Sequence, residues 1–286
     1  MIRRPLFEQV TIVGLGLMGG SLGIAIRRHG LAKTVVGLSR SAATLHKAGA
    51  VGAIDIGTLD PRKALERADL VILAVPVDVI VPMAKRLSRF APPGAVFSDV
   101  GSTKSAIVRA LDRGLPKSMP FVGAHPIAGS EERGIAAASE AIFSDAAYCV
   151  VTPTAKTNRA ALRAVTHLWK AIVPRVVAMK AQRHDQLLAG ASHLPHALAF
   201  ALAASFSRGA LPAMPRSFLD MTRIAKSDPD LWRAIFLSNR AALKRVFRAF
   251  DRNYRGLTDA IESNRADTLC RILARAKARR HDLESR

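Results

Sequence analysis

The sequence predicts an α/β fold, a doubly wound parallel sheet followed by an all-α C-terminal domain. Three observations carry that prediction. Short apolar runs of strand length alternate with segments of helical spacing up to Met179. One run, ADLVILAVP, is apolar almost throughout, as a strand buried on both faces of a parallel sheet must be. From Lys180 onward helical spacing continues with no strand between. Strands separated by helices imply right-handed crossovers, with helices on both faces of the sheet. The expected domains are therefore residues 1–179 and 180–286.

The elements follow in order. QVTIVGLG is the first strand and runs into glycines; GGSLGIAIRRHG has helical spacing. TVVGLS is the next strand, and SAATLHKAGA the next helix, stopped by Gly49. After ADLVILAVP comes the helix DVIVPMAKRLSRF, then the strand GAVFSDVGS with a polar end, then the helix TKSAIVRALD. PFVGAHP, AAYCVVTP and PRVVAM complete the strands. AQRHDQLLAGASHLPHALAFALAASF, LWRAIFLSNRAALKRVFRAFDRNYRGLTDAIES and ADTLCRILARAKARRHD are helical, with Pro195 expected to kink the first of them.

Composition bounds the function classes. The 286 residues are 49% hydrophobic, enough for a substantial core and far from the composition of a disordered chain. The richest apolar stretch, His196–Phe206, falls short of the roughly 18 residues a membrane span needs, so no membrane partner is expected. Arg3 and Arg4 precede Pro5 and a strand begins at once, so no secretory leader is expected either. Cys149 and Cys270 lie far apart without metal spacing, as reduced thiols of a cytoplasmic protein would. The net charge of +21 is spread along helices such as RAALKRVFRAFDRNYR and reads as solvated faces. Aromatics at 5% argue against a base-stacking platform, and nucleic acid is not an expected partner.

Gly14-Leu-Gly16-Leu17-Met18-Gly19 has G-x-G-x-x-G spacing between a strand and a helix, the context that gives the motif meaning. Gly14 permits a tight turn, Gly16 lets backbone approach a pyrophosphate, and Gly19 lets the helix pack close. With Val75 and Pro76 at the end of ADLVILAVP, these residues are the candidate cofactor site of a Rossmann domain. After the second strand an acidic residue would accept hydrogen bonds from the ribose of NAD. Here Ser39 and Arg40 stand instead. A hydroxyl and a guanidinium suit the 2′-phosphate of NADP, so NADP is the expected cofactor, with NAD held by other contacts as the alternative.

In an open α/β sheet ligands bind beyond the carboxyl ends of the strands. The loops there carry DVGSTK, GAHPIAGSEERG, and, from the helical part, ASHLPHALA and TRIAKSDPDLW. With VGLGLMGGS, these motifs identify a chain that resembles the prephenate/arogenate (cyclohexadienyl) dehydrogenase family, from about residue 9 to the last helices. The resemblance implies oxidative decarboxylation in tyrosine biosynthesis: hydride passes from a hydroxyl-bearing ring carbon to the nicotinamide, CO2 leaves, and the ring becomes aromatic. It assigns His125 as acceptor of the hydroxyl proton, a role that suits imidazole, which titrates near neutrality. It assigns Ser102 to bonding substrate and histidine, although a helix N-cap would also fit that position. His196 and Arg223 would face the substrate, Arg223 pairing with a carboxylate. Glu131 and Asp185 match an acidic pair near the active-site entrance, and Ser192 is a weaker match. His193, three residues before His196, suggests no third metal ligand, so no metal is expected. His196 suits the pyruvyl group of prephenate, whereas NADP use is reminiscent of arogenate-type enzymes. The helical domain is expected to bury apolar surface against a second copy.

Two rival functions remain. Another hydroxy-acid dehydrogenase with a Rossmann and a helical domain would bring a catalytic lysine in the helical domain, where this chain has histidines. A non-catalytic nucleotide sensor or nucleic-acid binder would not need His125, Ser102, His196 and Arg223 together.

Overall fold

A computed structural model describes residues 4–128, 132–143, 147–207, 209 and 214–284. Eight strands form one sheet in the order β3-β2-β1-β4-β5-β6-β7-β8. They are β1 (Phe7–Val13), β2 (Ala32–Leu38), β3 (Ile56–Thr58), β4 (Leu70–Leu73), β5 (Val96–Asp99), β6 (Phe121–Ile127), β7 (Tyr148–Thr152) and β8 (Arg175–Ala178). The helices of this half are α1 (Leu17–Arg28), α2 (Ala42–Ala50), α3 (Pro61–Leu65), α4 (Val77–Leu87), α5 (Ser105–Gly114) and α6 (Arg159–Ile172). The chain leaves β1 toward β3 on one side and resumes on the other at β4, so the switch point lies at the carboxyl end of β1. The short β3 has too little apolar patterning to stand out in sequence; it pairs with β2 through Val36–Ile56, Gly37–Gly57 and Leu38–Thr58.

The expectation of a parallel sheet holds through β6 and fails beyond it. β7 pairs antiparallel with β6, and β8 runs parallel to β7. Among the described residues, the β6–β7 connection carries two 3-10 turns, Ile135–Ala137 and Glu140–Phe143, and no α-helix to make a crossover. Helix α6 supplies the crossover from β7 to β8.

Core packing covers both sheet faces. On one, α1 and α6 bury Leu22, Ile26, Val165, Leu168 and Trp169 with Val10 and Ile12. On the other, α4 and α5 bury Ile80, Ala84, Ile107 and Leu111 with Leu73 and Phe97. Trp169, 1% exposed, sits where truncation to alanine typically costs about 3–5 kcal/mol.

After Ala178 every described element is helical: α7 (Ala181–Leu188), α8 (Leu194–Ala204), α9 (Arg216–Thr222), α10 (Pro229–Ser238), α11 (Arg240–Glu262) and α12 (Ala266–Glu284). Contact density divides the chain between Asn239 and Arg240, so α7 to α10 belong to the same compact unit as the sheet. Trp232 and Ile235 of α10 join the core face that α4 and α5 cover. The second unit consists of α11 and α12, whose Lys244, Arg245, Arg248, Arg252 and Arg255 are exposed, as the charge spacing predicts.

Between α7 and α8 a π-helical turn spans Ala189–His193. Pro195, in the first turn of α8, cannot donate a backbone hydrogen bond and crowds the carbonyls one turn back, and the backbone widens there instead of breaking. The three pieces make a continuous helix, Ala181–Ala204, of 24 residues. That corrects the expectation about membrane spans: by length and composition this helix passes as one. Its buried polar groups, His184, Asp185 and His193, instead join a hydrogen-bonded cluster inside the protein. Cys149 is buried and Cys270 exposed.

Candidate active site

The nucleotide end is built almost entirely from backbone. Gly14 has φ +92°, a left-handed conformation that side chains rarely adopt, and a Cβ there would come within 2.5 Å of the Ala74 carbonyl oxygen. A Cβ on Gly19 would meet the Gly14 oxygen at 2.0 Å. Gly16 differs: nothing lies within 4 Å of where its Cβ would be. The first two glycines are thus required by the protein's own packing, whereas the room at Gly16 serves something from outside. Gly16 is the N-cap of α1, which has no side-chain cap and no acidic residue in its first turn, and this leaves its dipole and N–H groups for an anion.

A cavity of about 930 Å³ opens at this switch point. Gly14, Gly16, Ser39, Arg40, Val75 and Pro76 line it. Leu17 and Met18 do not line it; they open α1 half-buried, and Met18 packs on the core. The lining adds Ser41, Thr44, Lys47 and Arg86, which the motif did not reveal. Ser41 caps α2, accepting from Thr44 N–H, and α2 has no acidic residue in its first turn. Arg40, Lys47 and Arg86 therefore stand around this cavity with no carboxylate among its lining residues. The glycine geometry and these cations fit a dinucleotide.

The second part of the site lies at the ends of β5 and β6. Asp99 closes β5 and Lys104 precedes α5; both are fully buried and Lys104 Nζ contacts the Asp99 carboxylate. Asp99 also accepts from Gly101 N–H at 3.0 Å and Ala124 N–H at 3.2 Å. Burial draws both groups toward neutrality, and their mutual contact opposes it. This pair clamps the loop that carries Ser102, which is half-buried. Ser102 does not cap α5. The N–H groups of Lys104 and Ser105 donate instead to the two oxygens of Asp185, each at 2.8 Å.

His125 lies in β6, 8% exposed, opposite Val150 of β7. Its Nδ1 is 2.8 Å from His184 Nε2, and His184 Nδ1 is 2.8 Å from Asp185 Oδ1. Among the described residues, His125 therefore meets His184 and not Ser102. Burial, reinforced by His184, Lys104 and His193, holds the His125 imidazole well below its ordinary pKa, so it rests neutral. Asp185, expected near an entrance, is 4% exposed with both oxygens engaged; α7 carries it under α5. The His184-Asp185 pair is visible in the sequence, but its partners are 54 to 81 residues away.

Asn239 extends the network. Its Nδ2 donates to the Asp185 carbonyl at 2.8 Å and approaches His193 Nδ1 at 3.1 Å. His193 is 1% exposed, and burial pulls its pKa down to about 4, so it stays neutral. His196 stacks on Trp232 at 3.6 Å between centroids. Its Nδ1 lies 2.9 Å from the Ser192 carbonyl, which can only accept, so Nδ1 carries the proton and Nε2 is the acceptor of the neutral ring. Burial lowers the His196 pKa; the Ser192 carbonyl opposes this and Arg223 adds to it. Arg223 opens the 3-10 turn Arg223–Lys226 packed on α8, exposed and close enough to His196 for its charge to act there. Asp228 caps α10 and pairs with Arg133 at 2.6 Å. Glu131 lies outside the described residues.

Comparisons with known proteins place the chain in one family. A family model described as "Prephenate dehydrogenase, nucleotide-binding domain" matches residues 22–178, and one described as "Prephenate dehydrogenase, dimerization domain" matches residues 180–275. The chain is 33% identical to a prephenate dehydrogenase of Bacillus subtilis over 98% of this chain and 77% of the relative. It is 34% identical to a cyclohexadienyl dehydrogenase of Zymomonas mobilis over 92% of each. Among solved structures it is similar to a prephenate dehydrogenase from Aquifex aeolicus in complex with hydroxyphenyl propionate and NAD+, with TM-score 0.88, 34% identity and coverage of 96% and 98%.

Proposed function

The chain belongs to the prephenate dehydrogenase family, and from that premise we propose that it oxidatively decarboxylates both prephenate and arogenate, with NADP preferred over NAD. Membership makes it an NAD(P)-dependent oxidoreductase of tyrosine biosynthesis. The observation that carries the reading is His125, neutral and buried at the end of β6, with Nδ1 tied to His184 and Nε2 left as the nitrogen for substrate.

Gly14, Gly16 and the start of α1 would hold a nicotinamide cofactor, which would supply the hydride acceptor when bound. His125 takes the hydroxyl proton at Nε2 as the carbon–oxygen double bond forms. Arg223 pairs with a substrate carboxylate, and Ser102, on the clamped loop, hydrogen-bonds the reacting hydroxyl. Loss of CO2 then lets the ring become aromatic. Glu131 and Ser192 are assigned with Asp185 to the border of the substrate site by resemblance alone, and the burial of Asp185 gives it an internal role instead.

Two details support dual substrate use. Prephenate and arogenate differ in a keto group against an ammonium. A neutral His196 presents Nε2 as an acceptor, which suits the ammonium of arogenate rather than the pyruvyl group expected from the sequence, whereas the nearby Arg223 suits the carboxylate both substrates carry. The Zymomonas relative, similar over 92% of both chains, is named for the ring rather than for one side chain. For the cofactor, Ser39 and Arg40, with Lys47 and Arg86 in the same cavity, favour a 2′-phosphate. The NAD+ of the Aquifex structure belongs to that protein. Exposed Phe247, Tyr254, Ile261 and Leu273 on α11 and α12 support burial against a second copy, so the expected assembly is a homodimer of a cytoplasmic enzyme.

Steady-state kinetics of prephenate and arogenate, each with NAD and NADP, test the reading. Turnover of both substrates, with kcat/KM higher for NADP, is the expected result. A preference for NAD would defeat the cofactor assignment, and turnover of one substrate alone would defeat dual use.

A further inference from the structure

We propose that His184 is the positioning residue of the catalytic base: it fixes which nitrogen of His125 carries the proton at rest, and it shares the proton His125 takes from substrate. The proposal rests on the dehydrogenase reading above and adds to it a residue whose role the motifs do not assign.

The order of the row is set from Asp185 inward. Its carboxylate can only accept, so His184 Nδ1, 2.8 Å from Oδ1, is the donor. In the arrangement proposed, His184 carries its one N–H on Nδ1 and Nε2 is a lone pair. That lone pair faces His125 Nδ1 at 2.8 Å, and His125 must donate there. The His125 lone pair is then on Nε2, where a base for an external hydroxyl has to have it. One carboxylate on α7 thus sets the tautomer of a ring in β6, two hydrogen bonds away. The carboxylate is itself fixed, since Lys104 and Ser105 N–H groups bind its two oxygens.

The same row accommodates the product of proton transfer. When substrate delivers its hydroxyl proton to His125 Nε2, the ring becomes an imidazolium in a buried site. The His125 Nδ1–H bond can then break as a His184 Nε2–H bond forms. His125 returns to neutrality and the positive charge rests on His184, beside Asp185. Other groups near His125 do not serve. Burial, and after it His184, Lys104 and His193, disfavour a cation on His125 itself. Asp99 is engaged by Lys104. Cys149 of β7 stays a thiol, its ionisation suppressed by burial. The charge therefore has one favourable direction, toward Asp185, whose carboxyl stays below the usual range because hydrogen bonds from His184, Ser105 and Lys104 outweigh its burial.

His184→Leu and His184→Gln in the full chain test this, with wild type first shown to turn over prephenate or arogenate. Leucine removes the acceptor; kcat should fall about 100-fold while KM for substrate and cofactor stays within about threefold. Glutamine keeps an acceptor oxygen for the His125 Nδ1–H and should recover about tenfold of that loss. It cannot take the proton, so the ascending limb of kcat against pH should move to lower pH by about half a unit or more, because the His125 imidazolium loses its outlet. A leucine variant within about threefold of wild-type kcat, or equal kcat for both variants, overturns the proposal. If leucine prevents folding, the glutamine limb decides: an unmoved limb overturns it. Long-range 1H–15N spectra of 15N-histidine protein give a readout independent of turnover. They should place the His125 proton on Nδ1 in wild type; a proton on Nε2 overturns the assignment even if the enzyme turns over neither substrate.

Discussion

The two ends of the site are held by opposite means. At the nucleotide end, selectivity is steric and local: Gly14 and Gly19 are adjacent to what they must avoid, and Gly16 keeps space open. At the catalytic end it is electrostatic and distant: His125 on β6, Lys104 before α5, Asp185 on α7 and Asn239 after α10 converge from four parts of the chain. Damage to the first should show in binding and folding. Damage to the second should show in kcat and in pH dependence. Substitutions at each end test that division.

The largest effect belongs to the base. His125→Asn should lower kcat roughly several hundredfold or more with little change in cofactor affinity. Near-normal kcat in single-turnover assays would remove His125 from the chemistry. The glycines come next, and they should separate from each other. Gly19→Ala drives a methyl onto the Gly14 carbonyl and should lower both Tm and cofactor binding, by about 2 kcal/mol or more of stability. Gly16→Ala meets nothing in the protein and should leave Tm within a few degrees while cofactor affinity, read by fluorescence titration, falls about tenfold. Equal Tm losses for both would mean that the space at Gly16 is structural.

Arg223→Ala should act mainly on substrate, raising KM about tenfold to a hundredfold, the range for a charge-assisted pair. An unchanged KM would refute the carboxylate role. The smallest effect is on stability against pH. His193 has a folded pKa of about 4 against 6.5 for the free side chain. The unfolded chain binds its proton first, so this contribution is present above pH 6.5 and is lost as pH falls from 6.5 toward 4. Thermal melts should show Tm dropping across that window, and His193→Gln should flatten the drop. An equally steep loss in the variant would place the sensitivity elsewhere.

The fold was legible wherever a local pattern has a single physical solution. The continuous apolar run of β4 demanded a strand buried on both faces, and VGLGLMGG between strand and helix demanded a phosphate-binding turn. The reversal at β7 was not legible, because YCVVT and RVVA are apolar in either direction and only the pairing with β6 fixes their sense. Within the site, Ser39 and Arg40 follow β2 and His125 stands near the carboxyl end of β6, places that follow from the alternation of elements. Ser102 was a plausible cap by position. The cap came instead from Asp185, which no local rule connects with α5. The tautomer of His125 depends on that same carboxylate.

By itself, then, the sequence determined the elements, the cofactor-binding turn and the identity of the chemistry-bearing side chains, since each of those depends on neighbours within a few residues. Tertiary structure alone decided which side chains share protons. A hydrogen bond of 2.8 Å between His125 and His184 depends on how α7 packs against α5 and β7, across 59 residues of chain. Spacing in sequence carries periodicity, but it does not carry the distance between two segments that meet only when the core closes.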